Sequence, residues 1–528
     1  METLNLSEYF LEHNLTTRPD KGCVYFGDDT YTYRQMNDWA CRTARALVSL
    51  GVRQEDRVLI VLPDRPEFVA TLFAIHKCGA VLTMANPLQP GDALLYYLNY
   101  TRAPVAVIHH SVVELIEPLL DQVRYTRHFL VVGGEPGRFA SFDRVVREQP
   151  ASFENAPVHP DDPSVWLFSS GTSGKPKACM HLAHDFAFNT EHYAKHILHM
   201  TEHDRTLAVP KLFFGYATGT NLWFPFAFGG STVLFEERPT PEVLYANIER
   251  YRPTFFTTVP TTINKMLQYL EEGSRDRGTE GSSHAPPQDS GLRTQDLSCL
   301  RVCVSAGEAL PAELYRRWMN TFGVEILDGI GSAEMFHIYI SNRIGDVKEG
   351  SLGKLVPGYT ARIVDPDGRE VPTGELGTLH INGDSRMVGY FQDNDKSRRT
   401  VMGEWVNTGD QFRVDADGYF WYEGRADDML KVGGIWVSPM EIENVLLQHA
   451  AVKECAVVPY KDAAGLVLPR AYVVVREGNV GNTALSETLI NFTKERLAHY
   501  KAPRDIRYLD ALPRNDRGKT ERKKLQAM

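Results

Sequence analysis

Between about residues 31 and 110, short apolar, β-rich runs alternate with stretches of helical period, and this alternation limits the fold more than any other feature of the chain. A helix is predicted near Tyr33–Leu50, then a strand at DRVLIVLP, a helix from Glu67, a strand at AVLTMAN, a helix near Asp92–Tyr100 and a strand at APVAVIHH. Strands joined through helices run parallel, and a parallel sheet is covered on both faces, so the fold class is read as α/β. A further apolar run, SVWLF (164–168), leads straight into Ser169-Ser170-Gly171-Thr172-Ser173-Gly174-Lys175-Pro176-Lys177. After about Gly350 the texture changes to short strands with turn pairs Asp367-Gly368, Thr373-Gly374 and Asp417-Gly418, which predicts a β-rich subdomain. Beyond Gly424 come a strand pair around GRADDMLKVGGIWVS, a helix from Pro439, strands AVVPY and RAYVVV, and a helix from Leu485 to His499. That last stretch of about 100 residues has the size of a small α+β domain. The expected organisation is a large N-terminal domain over 1–426 and a small, mobile C-terminal domain over 427–528, with the boundary at Asp427.

At 528 residues the chain is too long for one core, so more than one domain is required. A net charge of −10 argues against a nucleic-acid partner, which calls for a basic face, and means that any anionic ligand must be met by local charges. The seven cysteines (Cys23, Cys41, Cys78, Cys179, Cys299, Cys303, Cys455) are odd in number and scattered, with no CxxC pair, and read as reduced core thiols. The start, METLNLSEYFLEHN, lacks the basic segment and apolar run of a signal peptide, so a cytoplasmic protein is expected. Leu212 to Phe235 carries no charge over 24 residues but contains Pro225, Asn221 and four glycines, and reads as a buried segment rather than a membrane span. The stretch between Gln268 and Leu297, rich in Gly, Ser, Pro and charge, reads as a flexible surface loop without chemistry.

The loop after SVWLF is the strongest chemical signal. Small residues let backbone N–H groups approach phosphate oxygens, hydroxyls add donors, and Lys175 and Lys177 supply point charge. On spacing alone it reads as a phosphate cradle or as a flexible turn. It is not a Walker loop, because Pro176 follows Lys175; the later Gly518-Lys519-Thr520 fails too, with Pro513 where the first Gly should stand.

SSGTSGKPK resembles the phosphate-loop signature of the adenylate-forming superfamily of acyl-CoA synthetases, peptide-synthetase adenylation domains and luciferases. Other motifs follow in the family's order. Asp328-Gly329-Ile330-Gly331-Ser332-Ala333-Glu334 resembles the adenine- and magnesium-binding segment, Trp405-Val406-Asn407-Thr408-Gly409-Asp410 the ribose segment, and Gly424-Arg425-Ala426-Asp427-Asp428 the hinge. Pro513-Arg514-Asn515-Asp516-Arg517-Gly518-Lys519 resembles the segment bearing the catalytic lysine. The resemblance implies ATP, Mg²⁺ and coenzyme A, with Lys519, Glu334 and Thr172 catalytic, and Thr172 and Glu334 on the metal. It assigns Ser169, Ser170, Gly171, Thr172, Ser173, Gly174, Lys175, Gly307, Glu308, Asp328, Gly329, Ile330, Ser332, Asp410 and Arg425 to the nucleotide. It makes Asp427 the hinge and gives Lys431, Gly433 and Gly434 to the CoA arm. These roles suit the residue types: a carboxylate is a hard oxygen ligand for Mg²⁺, Asp410 has two acceptor oxygens for ribose hydroxyls, and Arg425 is a forked permanent cation. The structural alternatives are a solvated acid at Glu334, a turn aspartate at Asp410, a salt bridge at Arg425 and a solvated basic tail around Lys519. Two departures stand out: Ile330 replaces a tyrosine common against the adenine, and Ala333 replaces the usual threonine before the glutamate.

Lys211 to Gly219 interleaves aromatics with residues lacking bulk, which suits a flat apolar slot as well as ordinary core. LFFGYATG, EERPTPE and DGIGSAEMFHIYISNR resemble the benzoate:CoA ligase branch. The resemblance implies an aryl-acid:CoA ligase for 2-aminobenzoate or benzoate, with a pocket of Phe214, Gly215, Tyr216, Ala217, Gly219, Gly331 and His337. Gly215 is expected to leave room for an ortho group, and Tyr216 and His337 to offer polar contacts or to serve structure. A carrier-protein phosphopantetheine as acceptor, a luciferase-type oxidoreductase and a non-enzymatic binding module are the rival readings.

Overall fold

In a computed structural model, the structure describes residues 3–169, 175–275, 295–425, 429–432, 435–462, 466–514 and 520–528. Two large sheets form the N-terminal region. The eight-stranded sheet runs, in spatial order, Gly389–Tyr390, Lys177–Leu182, Pro163–Ser169, Val81–Met84, Arg57–Val61, Val105–His109, His128–Val132 and Ala140–Ser141. Its strands from Pro163–Ser169 to Ala140–Ser141 are parallel, and Lys177–Leu182 and Gly389–Tyr390 close one edge antiparallel. The nine-stranded sheet is parallel through Ile326–Gly331, Val302–Ser305, Phe255–Thr258, Arg205–Ala208, Ser231–Leu234 and Gly22–Phe26, with antiparallel strands at both ends.

The predicted helices form where the apolar period demands. Tyr33–Ser49 starts in a reciprocal cap, Thr32 Oγ1 accepting from Gln35 N and Gln35 Oε1 from Thr32 N, and buries Tyr33, Met36, Ala40, Ala44 and Leu47 along one stripe. Pro66–Lys77 is buried along its whole length; even Lys77 is enclosed, its ammonium 2.6 Å from Glu12 Oε1. Leu212 to Phe235 forms short helical turns and the strand Ser231–Leu234, with Leu212, Trp223, Phe224 and Phe226 fully buried. Among the described residues no helix is long and apolar enough to cross a membrane.

A five-stranded antiparallel sheet of Thr360–Val364, Gly377–Asn382, Trp405–Val414, Val401–Met402 and Phe420–Arg425 is the β-rich subdomain. The C-terminal region joins a strand pair, Leu430–Val432 with Ile435–Val437, to a three-stranded sheet of Val452–Lys461, Val467–Val475 and Asp505–Tyr508, packed on helices Pro439–Leu446 and Thr483–Lys494. Two boundaries differ from the sequence reading. The last long helix stops at Lys494 rather than His499, and residues 269–275, read as loop, continue the helix Pro260–Arg275. All seven cysteines are free thiols; Cys299 and Cys455 are only partly buried, the other five lie in the core.

Candidate nucleotide and acid site

The carboxyl ends of the parallel strands define the cleft, as open α/β sheets require. Strand Pro163–Ser169 ends at the phosphate-loop motif, and the buried Ser169 hydroxyl has no hydrogen-bond partner among the described residues. Ser170, Gly171, Thr172, Ser173 and Gly174 lie outside the described residues. Beyond them, Lys175 sits 5.6 Å from the Tyr96 ring centroid, Tyr96 donates to Pro176 O at 2.8 Å, and Lys177 ion-pairs with Asp393.

Strand Ile326–Gly331 supplies the second wall. It turns back tightly onto Ile338–Ser341, and the glycines of DGIG make that possible: a Cβ on Gly331 would lie 2.4 Å from His337 O, and one on Gly329 2.7 Å from Ile340 O. Between these strands the chain makes a short 3₁₀ turn, Ala333–Met335, that presents Glu334. Glu334 Oε1 accepts from the Tyr390 hydroxyl at 2.6 Å, and its carbonyl accepts from Met387 N at 2.8 Å. The carbonyl of Ala333 accepts from His181 Nε2 at 2.6 Å, while His181 Nδ1 faces Asp185 Oδ2 at 2.6 Å. Both ring nitrogens therefore point at oxygens, and both side chains of the His181–Asp185 pair are fully buried. Asp185 also accepts from Leu182 N at 3.2 Å.

The loop 306–310 follows strand Val302–Ser305, and Gly307 takes a φ of +91°, which favours glycine. Asp328 does not open to the cleft. It is buried, its Oδ2 accepts from Leu310 N at 3.0 Å, and burial pushes its carboxyl up to about 7. Asp328 thus clamps the loop that carries Glu308. Glu308 Oε2 accepts from Thr261 Oγ1 at 3.0 Å, and Thr261 Oγ1 accepts from the Arg514 guanidinium at 3.1 Å. Arg514 also pairs with Glu454 at 2.9 Å and forms a β-bridge with Thr520, so the start of the segment that carries Lys519 stands, through Thr261, beside the loop 306–310. Lys519 itself lies outside the described residues, as do Asp427, Gly433 and Gly434; of Lys431 only the strand position, in Leu430–Val432, is described.

Asp410 and Arg425 are register partners on adjacent strands, and Arg425 NH1 donates to Asp410 Oδ1 at 3.0 Å. Gly409, at φ +70°, swings the chain so that Asp410 N reaches Thr408 Oγ1 at 3.1 Å. Asp410 is buried and the Arg425 side chain half exposed, which leaves the guanidinium at the cleft surface. Ile330 and Ser332 are half-buried on the same wall.

The aromatic segment is pinned at its start by Asp64, whose Oδ1 accepts from Leu212 N at 2.8 Å and whose carboxyl burial raises to about 6. Phe214, Gly215 and Tyr216 are half-buried, Ala217 and Gly219 buried. The Tyr216 hydroxyl and the His337 Nε2 have backbone partners. Tyr216 donates to Val304 O at 3.2 Å, and His337 Nε2 lies 3.0 Å from Tyr216 O. Burial holds His337 down at about 3, so the ring is neutral, donates through Nε2 and keeps Nδ1 as a buried acceptor. Gly219 is required because a Cβ would lie 2.5 Å from His337 Cδ2. A Cβ on Gly215 would meet Leu167 Cδ1 at 3.0 Å, so the missing side chain also makes room for Leu167.

Sequence reasoning missed His181, Asp185, Tyr390, Asp393 and Lys396. Each lies between or beyond the motifs; His181 and Tyr390 enter through strand pairing, and Asp185, Asp393 and Lys396 on the segments that follow those strands. The family model described as AMP-binding enzyme matches residues 11–391, and AMP-binding enzyme C-terminal domain matches 441–519. The chain belongs to the AMP-binding enzyme family. Within that family it is 40% identical over 530 residues to a benzoate–CoA ligase of Thauera aromatica, covering all of this chain and 96% of that one. It is similar to a solved anthranilate CoA ligase in complex with anthranoyl-AMP, at TM-score 0.91 and 38% identity, covering 99% and 97% of the two chains. A benzoate CoA ligase from Burkholderia xenovorans LB400 superposes at TM-score 0.87 with 36% identity over 99% of each chain.

Proposed function

We propose that the chain is an AMP-forming acid–thiol ligase that converts an uncharged-ring aryl acid, 2-aminobenzoate or benzoate, with ATP into aryl-AMP and pyrophosphate, then into the aryl-CoA thioester. One observation carries this: Glu334 rests on the hydroxyl of Tyr390, whose strand pairs with the strand emerging from the phosphate loop, so an oxygen ligand and a phosphate cradle share one cleft. The names of the three relatives above support the acid class, and the apolar wall of Phe214, Tyr216, Ala217 and Gly219 fits a flat ring.

The residues fit Mg²⁺. Glu334 Oε1 is taken by Tyr390 while Oε2 accepts no hydrogen bond among the described residues. No group of three or more His, Cys, Asp or Glu among those residues could hold an ion alone. A single carboxylate oxygen suits an ion that takes its remaining ligands from phosphates and water. When bound, Mg²⁺ neutralises phosphate charge. Asp410 and Arg425 orient the ribose, Asp328 fixes the adenine-side loop, and Lys519 joins the acid carboxylate to the α-phosphate, with Thr172 on the phosphate side. The domain division at Asp427 lets the C-terminal domain turn and bring Lys431, Gly433 and Gly434 to the CoA arm. The free thiols support a cytoplasmic enzyme.

Pyrophosphate release is the test, measured over a panel of aryl and alkyl acids with and without CoA. Release with benzoate-class acids and thioester formation on adding CoA are expected; preference for a fatty acid would refute the pocket, and an adenylate never transferred to CoA would turn the reading to a carrier-protein acceptor.

A further inference from the structure

The stretch from Gly389 to Thr400 brings three polar side chains to the edge of the cleft. Gly389 and Tyr390 pair with Met180 and Cys179, and the helix Asn394–Thr400 follows, its start capped by Asp393 Oδ1 accepting from Lys396 N at 3.2 Å. Register, not local sequence, thus sets Tyr390 beside Glu334 and Asp393 beside Lys177. Lys396 is half-buried, its Nζ lying 4.2 Å from the Tyr390 ring centroid. The groups close enough to act on its charge are Glu334, Lys177, Cys179 and Asp393.

The two ammonium groups differ in their partners. Lys177 has its carboxylate, Asp393, whereas Lys396 has no ion pair among the described residues and leans on an aromatic face. A half-buried cation that rests on an aromatic face, with carboxylates near but none in ion-pair contact among the described residues, gains from an anion that approaches it. Its described neighbours are Lys177, which follows the phosphate-loop motif, and Glu334, the acid assigned to the metal in the ligase reading, so an anion held between those two residues would come within reach of the ammonium.

We propose that Lys396 is a further catalytic residue of the adenylation step, contacting the β- and γ-phosphates of ATP, and that Tyr390 is the positioning residue that holds Glu334 and Lys396 together. This rests on the ligase reading given above. In the step, an acid carboxylate oxygen forms a bond to the α-phosphorus. The bond from that phosphorus to the oxygen bridging to the β-phosphorus breaks, and its electron pair leaves on pyrophosphate. No proton moves. Negative charge grows on the leaving group, where a fixed ammonium stabilises the transition state more than the ground state.

The experiment compares Lys396→Met, Lys396→Gln and Lys396→Arg in three assays: acid-dependent ATP–pyrophosphate exchange, the KM for pyrophosphate in ATP synthesis from preformed aryl-AMP, and thioester formation from aryl-AMP and CoA. Loss of one charge-assisted contact is expected to lower exchange by roughly tenfold to a hundredfold in the Met and Gln variants and to raise the KM for pyrophosphate by a similar factor. Thioester formation should stay within about twofold, and Arg should recover most of the loss, as a contact to phosphate allows. Equal loss in both half-reactions, or an unchanged KM for pyrophosphate, overturns the proposal and leaves Lys396 as a prop for Tyr390. Wild-type protein without any acid-dependent exchange would instead sink the ligase reading, a result visible before any variant is made.

Discussion

Substituting His181 by alanine should be among the most costly single changes in this chain. Its ring bridges Asp185 and the carbonyl of Ala333, both at 2.6 Å, and both side chains of the pair are wholly inaccessible. Removing it deletes a hydrogen bond to a charged group, about 1.5–3 kcal/mol, and a neutral one, about 0.5–1.5 kcal/mol. It also strands a buried carboxylate, which keeps only Leu182 N at 3.2 Å and the His184 ring, 3.1 Å from Oδ1. The total expected is about 3–5 kcal/mol, the range for breaking a buried pair. Urea unfolding of His181→Ala, Asp185→Asn and the double variant measures it, with a coupling of about 1.5–3 kcal/mol between the two sites. Because Ala333 immediately precedes Glu334, the KM for MgATP should rise as well. A single-variant cost below about 1 kcal/mol, or a coupling near zero, would refute the bridge as the support of the Glu334 turn.

Other outcomes follow from the same geometry. Asp328 has a folded pKa raised from 3.8 to about 7, so the folded state holds a proton that the unfolded chain gives up; its contribution is intact below about pH 4 and is lost as pH rises toward 7. Asp328→Asn should flatten that decline in urea midpoints between pH 4 and 7; an unaltered slope would show that another group titrates. Thr261→Val breaks the relay from Arg514 to Glu308 and should slow adenylation by roughly tenfold while sparing thioester formation from preformed aryl-AMP, a split that rapid-quench assays resolve. Tyr216→Phe loses a hydrogen bond to Val304 O, at a cost of about 1 kcal/mol in stability, with the KM for the acid unchanged within about twofold; a large rise in that KM would mean the hydroxyl meets the acid.

The parallel sheets, the β-rich subdomain and the C-terminal α+β region were legible because their signals are local. Each strand or helix announces itself by period and by the Gly, Pro or Asp that ends it. The helix Pro260–Arg275 outran its reading because Ile263, Met266 and Leu267 anchor an apolar face, and propagation then carries through the charged residues that looked like loop. The site divides the same way. Glu334, Asp410 and Arg425 sit in contiguous motifs, whereas Tyr390 meets Glu334 across 56 positions and His181 meets Ala333 across 152. Those contacts depend on the register Gly389↔Met180 and on a tight strand reversal, which no local pattern encodes. Tyr216 and His337 show the converse: their residue types point to ligand contacts, yet carbonyls claim the Tyr216 hydroxyl and the His337 Nε2.

Acid-dependent exchange of labelled pyrophosphate into ATP, with wild-type protein and Lys519→Ala side by side, bears most directly on the claim that this cleft adenylates an aryl acid. Exchange that requires benzoate or 2-aminobenzoate, vanishes in the variant, and leaves CoA thioester formation from preformed aryl-AMP intact is the expected result. No exchange with any aryl acid, or equal loss of both half-reactions in Lys519→Ala, would contradict it.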